Sequence, residues 1–181
     1  AEIDRAGLEE GWRALQDTHD FFTLLKKHKV GRTQAFRLVP DELAREVPKL
    51  AFSRALELAA AEEMAIMVFV GSPGVIQIHT GPVQRVQRMG PWQNVLDPGF
   101  NLHLKETGIA SCWLIRKPTV DGTVTSLEIY DAGGQQIAWM FGKRKPGQPE
   151  DSAWPVLAER AVTEAAGAEA AGAESAGAES A

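Results

Sequence analysis

Ile109-Ala110-Ser111-Cys112-Trp113-Leu114-Ile115-Arg116-Lys117, then Val124 to Tyr130, then Gln135 to Phe141 after Asp131-Ala132-Gly133-Gly134, is the stretch that decides the fold. Three apolar runs rich in β-branched and aromatic residues, broken by short polar turns, predict successive antiparallel strands. The glycines of Asp131–Gly134 tolerate the positive φ that a tight hairpin connection needs. Similar runs precede them at Ala65 to Val70, Val75 to Thr80, Val83 to Met89 and Phe100 to Leu104, so an antiparallel meander is expected. Asp97-Pro98-Gly99 and Met89-Gly90-Pro91-Trp92 read as turns, with Trp92 packing beneath one. Before Glu63 the period is helical. Leu8, Trp12 and Leu15 form one stripe and Phe21, Phe22, Leu24 and Leu25 another, with further helices expected over Gln34 to Leu38 and Leu50 to Ala61. Helices followed by strands, without βαβ alternation, predict an α+β fold: a helical N-terminal third, a large antiparallel sheet meander and a closing helix from Trp154 to about Thr163.

The 181 residues suit one domain, expected over 1–164. From 165 to 181 an Ala-Gly-Ala-Glu-Ala/Ser unit repeats every five residues with nothing apolar larger than alanine, and a disordered tail is expected, its alanines offering an extension of the last helix as the alternative. A net charge of -5 and a pI near 5.4 argue against a general nucleic-acid binder, so any anion site is local. Cys112 is the only cysteine, which excludes a disulfide framework and a CxxC metal pair and fits a reducing, cytoplasmic setting. The longest apolar run is broken by Gly71, Pro73 and Gly74, too short for a membrane span. The charged start at Glu2, Asp4 and Arg5 is expected to carry no signal peptide, and a fragment of a longer protein is one reading of it.

Gly142-Lys143-Arg144-Lys145-Pro146-Gly147 places three cations after an apolar strand and closes them with a turn, a pattern suited to carboxylates or phosphates. His19, expected in the first turn of a helix ahead of Phe21-Phe22, is open to two readings: a structural or capping histidine, or an axial ligand to haem iron beside an apolar wall. Arg32 starts a basic helix-turn-helix look over Lys26 to Leu38, for which a solvated face is the commoner outcome and a DNA-reading element the other. Strand alternation puts Lys117 on one face with Trp113 and Ile115, where it is either an ordinary cation at a wet strand end or a clamp for a ligand carboxylate. Cys112 on the opposite face reads as an inert core thiol, and His28, His79 and His103 as structural or surface residues with no zinc spacing among them. From residue types alone the chain is an α+β domain with a local anion site.

The strings WRALQDTHDFF, GRTQAFRLV, IQIHTGPV, MGPWQNVLDPGFNLHL, IASCWLIRKPTVDGTVTSLEIYDAGG and FGKRKPGQPE together resemble the hemin-degrading and haem-transport (HemS/ChuS/HmuS-like) family of bacterial haem-uptake systems. The likeness runs from Leu8 to Glu150, and the chain resembles the second of the two tandem modules such proteins carry. It implies that His19 ligates haem iron, that Arg32, Lys117 and Arg144 line the site and contact the propionates, and that Phe141 is an aromatic contact. Trp139 departs from the family pattern by replacing a polar pocket residue. The family's distal arginine lies on the module absent from this chain, which leaves the face of iron opposite His19 open, filled by water or completed by another chain.

The resemblance therefore implies a cytoplasmic protein that binds haem b (hemin) and receives imported haem for trafficking, storage or degradation. Its implied partners are haem itself, a haem importer ATPase or permease, and a haem oxygenase or reductase, with neither nucleic acid nor membrane insertion, and a homodimer rebuilding a two-module arrangement. The enzymatic alternative is oxidative ring opening of haem with O2 and a reductant, and the distant one is a DNA-binding regulator.

Overall fold

The structure is a computed structural model that describes residues 2–179, with side chains described to residue 177. Three helices open the chain: α1 (Arg5–Arg13), α2 (Asp20–His28) and α3 (Arg32–Leu38). They are followed by β1 (Ala44–Val47), α4 (Ala51–Ala61), β2 (Ala65–Ser72), β3 (Val75–Pro82), β4 (Val86–Met89), β5 (Trp92–Asp97) and β6 (Phe100–Lys105). After a 3-10 turn at Glu106–Gly108 come β7 (Ser111–Thr119), β8 (Gly122–Tyr130), β9 (Gln136–Gly142) and α5 (Ala153–Glu179). The helical opening, antiparallel strands and closing helix match the α+β expectation.

The strands do not form one meander. They make a six-stranded sheet in the order β1-β7-β8-β9-β2-β3 and a separate three-stranded sheet β4-β5-β6, every pairing antiparallel. Two strands escape the sequence pattern for physical reasons. Ala44–Val47 is four residues long and becomes a strand by pairing with the edge of β7. In β5 the neighbours Gln93 and Asn94 are both buried though they point to opposite faces, so its pattern lacks the apolar alternation that marks a strand. The turns on either side of β5 fall where expected, but Trp92 is half exposed and lies on the strand instead of packing beneath a turn.

Each face of the large sheet meets a different partner, because successive side chains alternate. Cys112, Leu114, Leu127, Ile129, Ala138, Met140, Ile66 and Val68 face α4 and α5 and form the larger core. Trp113, Ile115 and Tyr130 face the other way, onto Trp12 of α1, Phe21 of α2 and Phe36 of α3. Trp12 is fully buried and its Nε1 donates to the Arg116 carbonyl at 2.8 Å, anchoring α1 to β7. On the α5 side Trp154 donates to the Thr125 carbonyl at 2.9 Å and crosses β9 at Gly142, where an added Cβ would lie 2.6 Å from the tryptophan Cβ. Only glycine permits that approach. At the β8–β9 turn Gly134 has φ 78°, and Asp131 Oδ1 accepts from Gly133 and Gln135 N–H groups.

The Ala-Gly-Ala-Glu repeat is helical over its described residues. From residue 165 it continues α5 as far as Glu179, exposed from 166 to 177, with residues 180 and 181 outside the described part. Alanine and glutamate are strong helix formers, and the packed turn around Trp154, Leu157 and Ala161 supplies the costly nucleus they extend. Among the described residues no helix is long and apolar enough to cross a membrane.

Candidate functional site

α1, α2 and α3 cover only the β1, β7 and β8 part of their face of the large sheet. The adjoining β9, β2 and β3 part presents an aromatic wall: Trp139 stacks on Phe69 with ring centroids 5.3 Å apart, and Phe141 meets Phe69 edge-on at 5.5 Å. Register places Ile78 beside Phe69 and Ile76 beside Gly71, and these isoleucines are 59% and 60% exposed. Phe141 therefore sits on an open apolar surface, and Trp139 widens that surface where the family resemblance anticipated a polar residue.

Where the helices end and the wall begins lies a buried polar cluster centred on Glu128. This residue pairs with Trp113 on one neighbouring strand and Trp139 on the other, and it is fully buried. Arg32, at the start of α3, donates Nη2 to Glu128 Oε1 at 2.7 Å and Nε to Tyr130 Oη at 2.9 Å. Tyr130 donates in turn to Glu128 Oε1 at 2.7 Å, Gln136 Nε2 donates at 2.8 Å, and Ser126 Oγ donates to Oε2 at 2.9 Å. Lys117 Nζ stands 3.9 Å from Glu128 Oε2 and 4.2 Å from the Phe21 ring centroid, and the Arg32 guanidinium lies 5.2 Å from the same ring.

Charge follows from this arrangement. Burial would raise the Glu128 pKa, but the Arg32 and Lys117 charges and the hydrogen bonds outweigh it and hold the carboxyl down at about 2. Burial depresses Lys117, Glu128 restores part of the loss, Arg32 adds to it, and the ammonium sits at about 8. For Arg32 burial is likewise opposed by Glu128, and the net direction is upward, so the guanidinium stays charged. Arg32 is thus a partly buried partner of the fully buried Glu128 and not a freely solvated cation. Ala35 and Phe36 of α3 are also buried, and Arg37 lies 5.6 Å from the Trp113 ring, so this face of the helix packs into the core.

His19 takes the N-cap position of α2, and its side chain is 94% exposed. Asp17 Oδ1 accepts from the His19 backbone N at 2.8 Å and from Nδ1 at 2.6 Å, and these bonds hold the Asp17 carboxyl below its ordinary range. An ionised carboxylate only accepts, so Nδ1 is the donor in this pair, and of the two ring nitrogens Nε2 is the one without a partner among the described residues. Phe22, three residues on, is 71% exposed beside it. The Gln16 carbonyl accepts from Val120 N at 3.0 Å, which ties the α1–α2 loop to the β7–β8 turn. Asp121 of that turn lies 3.8 Å from Arg144 Nη1, and the Arg144 charge is felt at Asp17. One end of the sheet thereby gathers the His19 loop, the β7–β8 turn and the cationic segment after β9. Lys143 and Lys145, flanking Arg144, are exposed.

The remaining residues fall outside this assembly. Cys112 is buried and its thiol is pushed up to about 12 by burial, as suits an inert core group. His79 stacks on Phe100 at 4.2 Å and His103 shares a 2.7 Å hydrogen bond with Asn94, while His28 is half-buried with Nε2 unpartnered. A surface furrow of about 660 Å³ lies along α5 between Arg116, Val156 and Glu159 on the far side of the sheet. The sequence pattern did not mark Glu128, Tyr130, Gln136 or Phe69. A carboxylate between Leu127 and Ile129 in an otherwise apolar strand was the signal available for the first of these.

Positions 29–161 match the model of the haemin-degrading HemS/ChuX domain. The hemin transport protein HmuS of Yersinia pestis is 46% identical over 151 residues, which cover 83% of this chain and 44% of that protein. The holo form of PhuS, a heme-binding protein from Pseudomonas aeruginosa, superposes with a TM-score of 0.85 at 54% identity, covering 87% of this chain and 45% of that one. ChuS, described as an E. coli heme oxygenase, gives 0.81 at 44% identity, covering 91% and 49%. The chain spans a little under half the length of these relatives. It belongs to the family of haemin-degrading HemS/ChuX-domain proteins.

Proposed function

We propose that this chain is a haem-binding module of a bacterial haem-uptake system, cytoplasmic, receiving imported haem for trafficking, storage or degradation. The observation that carries the reading is His19: an exposed imidazole whose Nδ1 is held by Asp17, so that Nε2 is free for iron. The residues fit the rest of a haem molecule. Phe141, Trp139 and Phe69 offer a flat apolar surface to the porphyrin. Lys117 is 7% exposed yet makes no hydrogen bond among the described residues, and Arg32 Nη1 has none either, so both keep N–H donors for the propionate carboxylates. Arg144, held loosely by Asp121, is a third donor at the same end of the sheet. Bound haem would supply the iron chemistry, while this chain orients the molecule and neutralises its carboxylates.

Titration with hemin, followed by the Soret band, tests the reading. A saturable one-to-one complex whose band shifts and weakens in His19→Ala is expected, and an unchanged spectrum and affinity in that variant sinks the ligand assignment. A second reading, oxidative ring opening of haem, is favoured by the likeness to ChuS, which is described as a heme oxygenase. It requires O2 and a reductant from a partner. Loss of the Soret band with release of iron and a tetrapyrrole, undiminished by catalase, is the result expected of it, and abolition by catalase reduces it to peroxide chemistry in solution. A haem importer, a reductase or oxygenase, and a second copy completing the face opposite His19 are the partners this role calls for.

A further inference from the structure

Glu128 presents a problem of its own. A carboxylate with no exposed surface, at the centre of a strand flanked by Leu127 and Ile129, would ordinarily cost several kcal/mol in desolvation, and an apolar residue would fill the same space without that penalty. Four hydrogen-bond donors converge on it instead, with Lys117 at salt-bridge distance. The donors come from α3, β8 and β9, and the ammonium from β7, so one side chain ties together every element at the edge of the aromatic wall.

The geometry of the two cations is informative. Glu128 and Tyr130 take the Nε/Nη2 edge of the Arg32 guanidinium, which leaves the Nη1 edge without a partner among the described residues. The guanidinium is planar and rigid, so fixing one edge fixes the direction of the other. Lys117 is held differently, by charge across 3.9 Å and by the Phe21 ring, with its three N–H donors unused. Without an anion between them, the buried Lys117 and the partly buried Arg32, both over one phenylalanine ring, would repel each other.

From this geometry we infer that Glu128 is a positioning residue of the haem site, an internal carboxylate that fixes the inner sides of Arg32 and Lys117 so that their remaining N–H donors meet the carboxylates of incoming haem. The inference rests on the haem-binding reading above. Glu128 touches no haem atom. Its effect passes through the two cations, and it also sustains the charge of Lys117, on which the acting charged groups are Glu128 of β8 and Arg32 of α3, while α2 contributes the Phe21 ring.

Glu128→Gln tests this, because the amide keeps the shape and still accepts from Arg32 but removes the charge facing Lys117. Hemin affinity is measured by Soret titration from pH 6 to 10 on folded protein, with wild type and His19→Ala alongside. In wild type, affinity is expected to fall above about pH 8 as Lys117 loses its proton. In Glu128→Gln it is expected to be roughly tenfold weaker at neutral pH, with the fall moved to lower pH, because burial and Arg32 then act on Lys117 unopposed. A merely structural role lowers stability but leaves affinity and pH profile where they are in wild type, and that result overturns the inference while leaving the haem-binding reading intact. Failure of wild type to bind hemin through His19 overturns both. If Glu128→Gln does not fold, Tyr130→Phe is the second variant: it keeps the ring and removes the hydroxyl shared by Arg32 and Glu128. A several-fold loss of affinity is expected from it, and an unchanged affinity across the pH range overturns the inference.

Discussion

Replacing Arg32 by methionine keeps the length of the aliphatic stem while removing the guanidinium, and the structure sets the size of the effect. Lost are a charge-assisted bond to Glu128 at 2.7 Å, a bond to Tyr130 at 2.9 Å and a cation lying 5.2 Å from the Phe21 ring. Removing one partner of a buried ion pair costs about 3–5 kcal/mol. Because the Arg32 side chain is 32% exposed, water can replace part of what it supplies, which favours the lower end. Arg32, Lys117 and the hydrogen bonds jointly lower the Glu128 pKa from its ordinary 4.5 to about 2 against the opposing effect of burial, so the stabilisation of the carboxylate is tied to pH. A carboxyl depressed on folding contributes stability that is fully present above pH 4.5 and lost as the pH falls toward 2. Urea unfolding of wild type and Arg32→Met at pH 7 should therefore differ by about 3 kcal/mol with unchanged m, and the difference should shrink between pH 4.5 and 2. The double variant Arg32→Met/Glu128→Leu should recover much of the loss, since neither charge is then stranded. A loss below about 1 kcal/mol, independent of pH, would place Arg32 among ordinary surface ion pairs and refute this reasoning.

Other expectations are as direct. Gly142→Ala pushes a methyl to 2.6 Å from the Trp154 Cβ, close to the α5 backbone, and should cost about 1–3 kcal/mol in thermal or urea unfolding. Lys117→Arg keeps its charge across the whole range, so its hemin affinity should stay flat where that of wild type falls by up to about tenfold per pH unit above pH 8. Asp17→Ala removes the acceptor that orients the His19 ring, and hemin affinity should drop about tenfold with a changed iron–imidazole vibration in the resonance Raman spectrum.

Much of this was legible from spacing because the relevant patterns are local. The Asp131–Gly134 turn and the strands on either side obey short-range rules, as does the placement of Lys117 on the Trp113 face. What spacing could not supply is long-range pairing. β1 exists through its pairing with β7, β9 joins β2 across more than sixty residues of sequence, and both placements depend on the finished sheet. The same limit applies to the site. His19, Arg32, Lys117, Phe141 and Arg144 stood out by motif resemblance, but Glu128, which binds two of them together, shows its role only when α3, β7, β8 and β9 are assembled around it. A solvated basic face was the commoner expectation for Arg32, and it fails because that expectation has no access to a buried carboxylate ninety-six positions away.

The structure of this chain crystallised with hemin would test the central claim most directly. The account predicts iron bonded to His19 Nε2, the porphyrin lying against Phe141 and Trp139, and its propionates reaching the free N–H groups of Arg32, Lys117 and Arg144. Iron bound at His79 or His103, or porphyrin seated in the α5 furrow with Arg32 and Lys117 untouched, would contradict it.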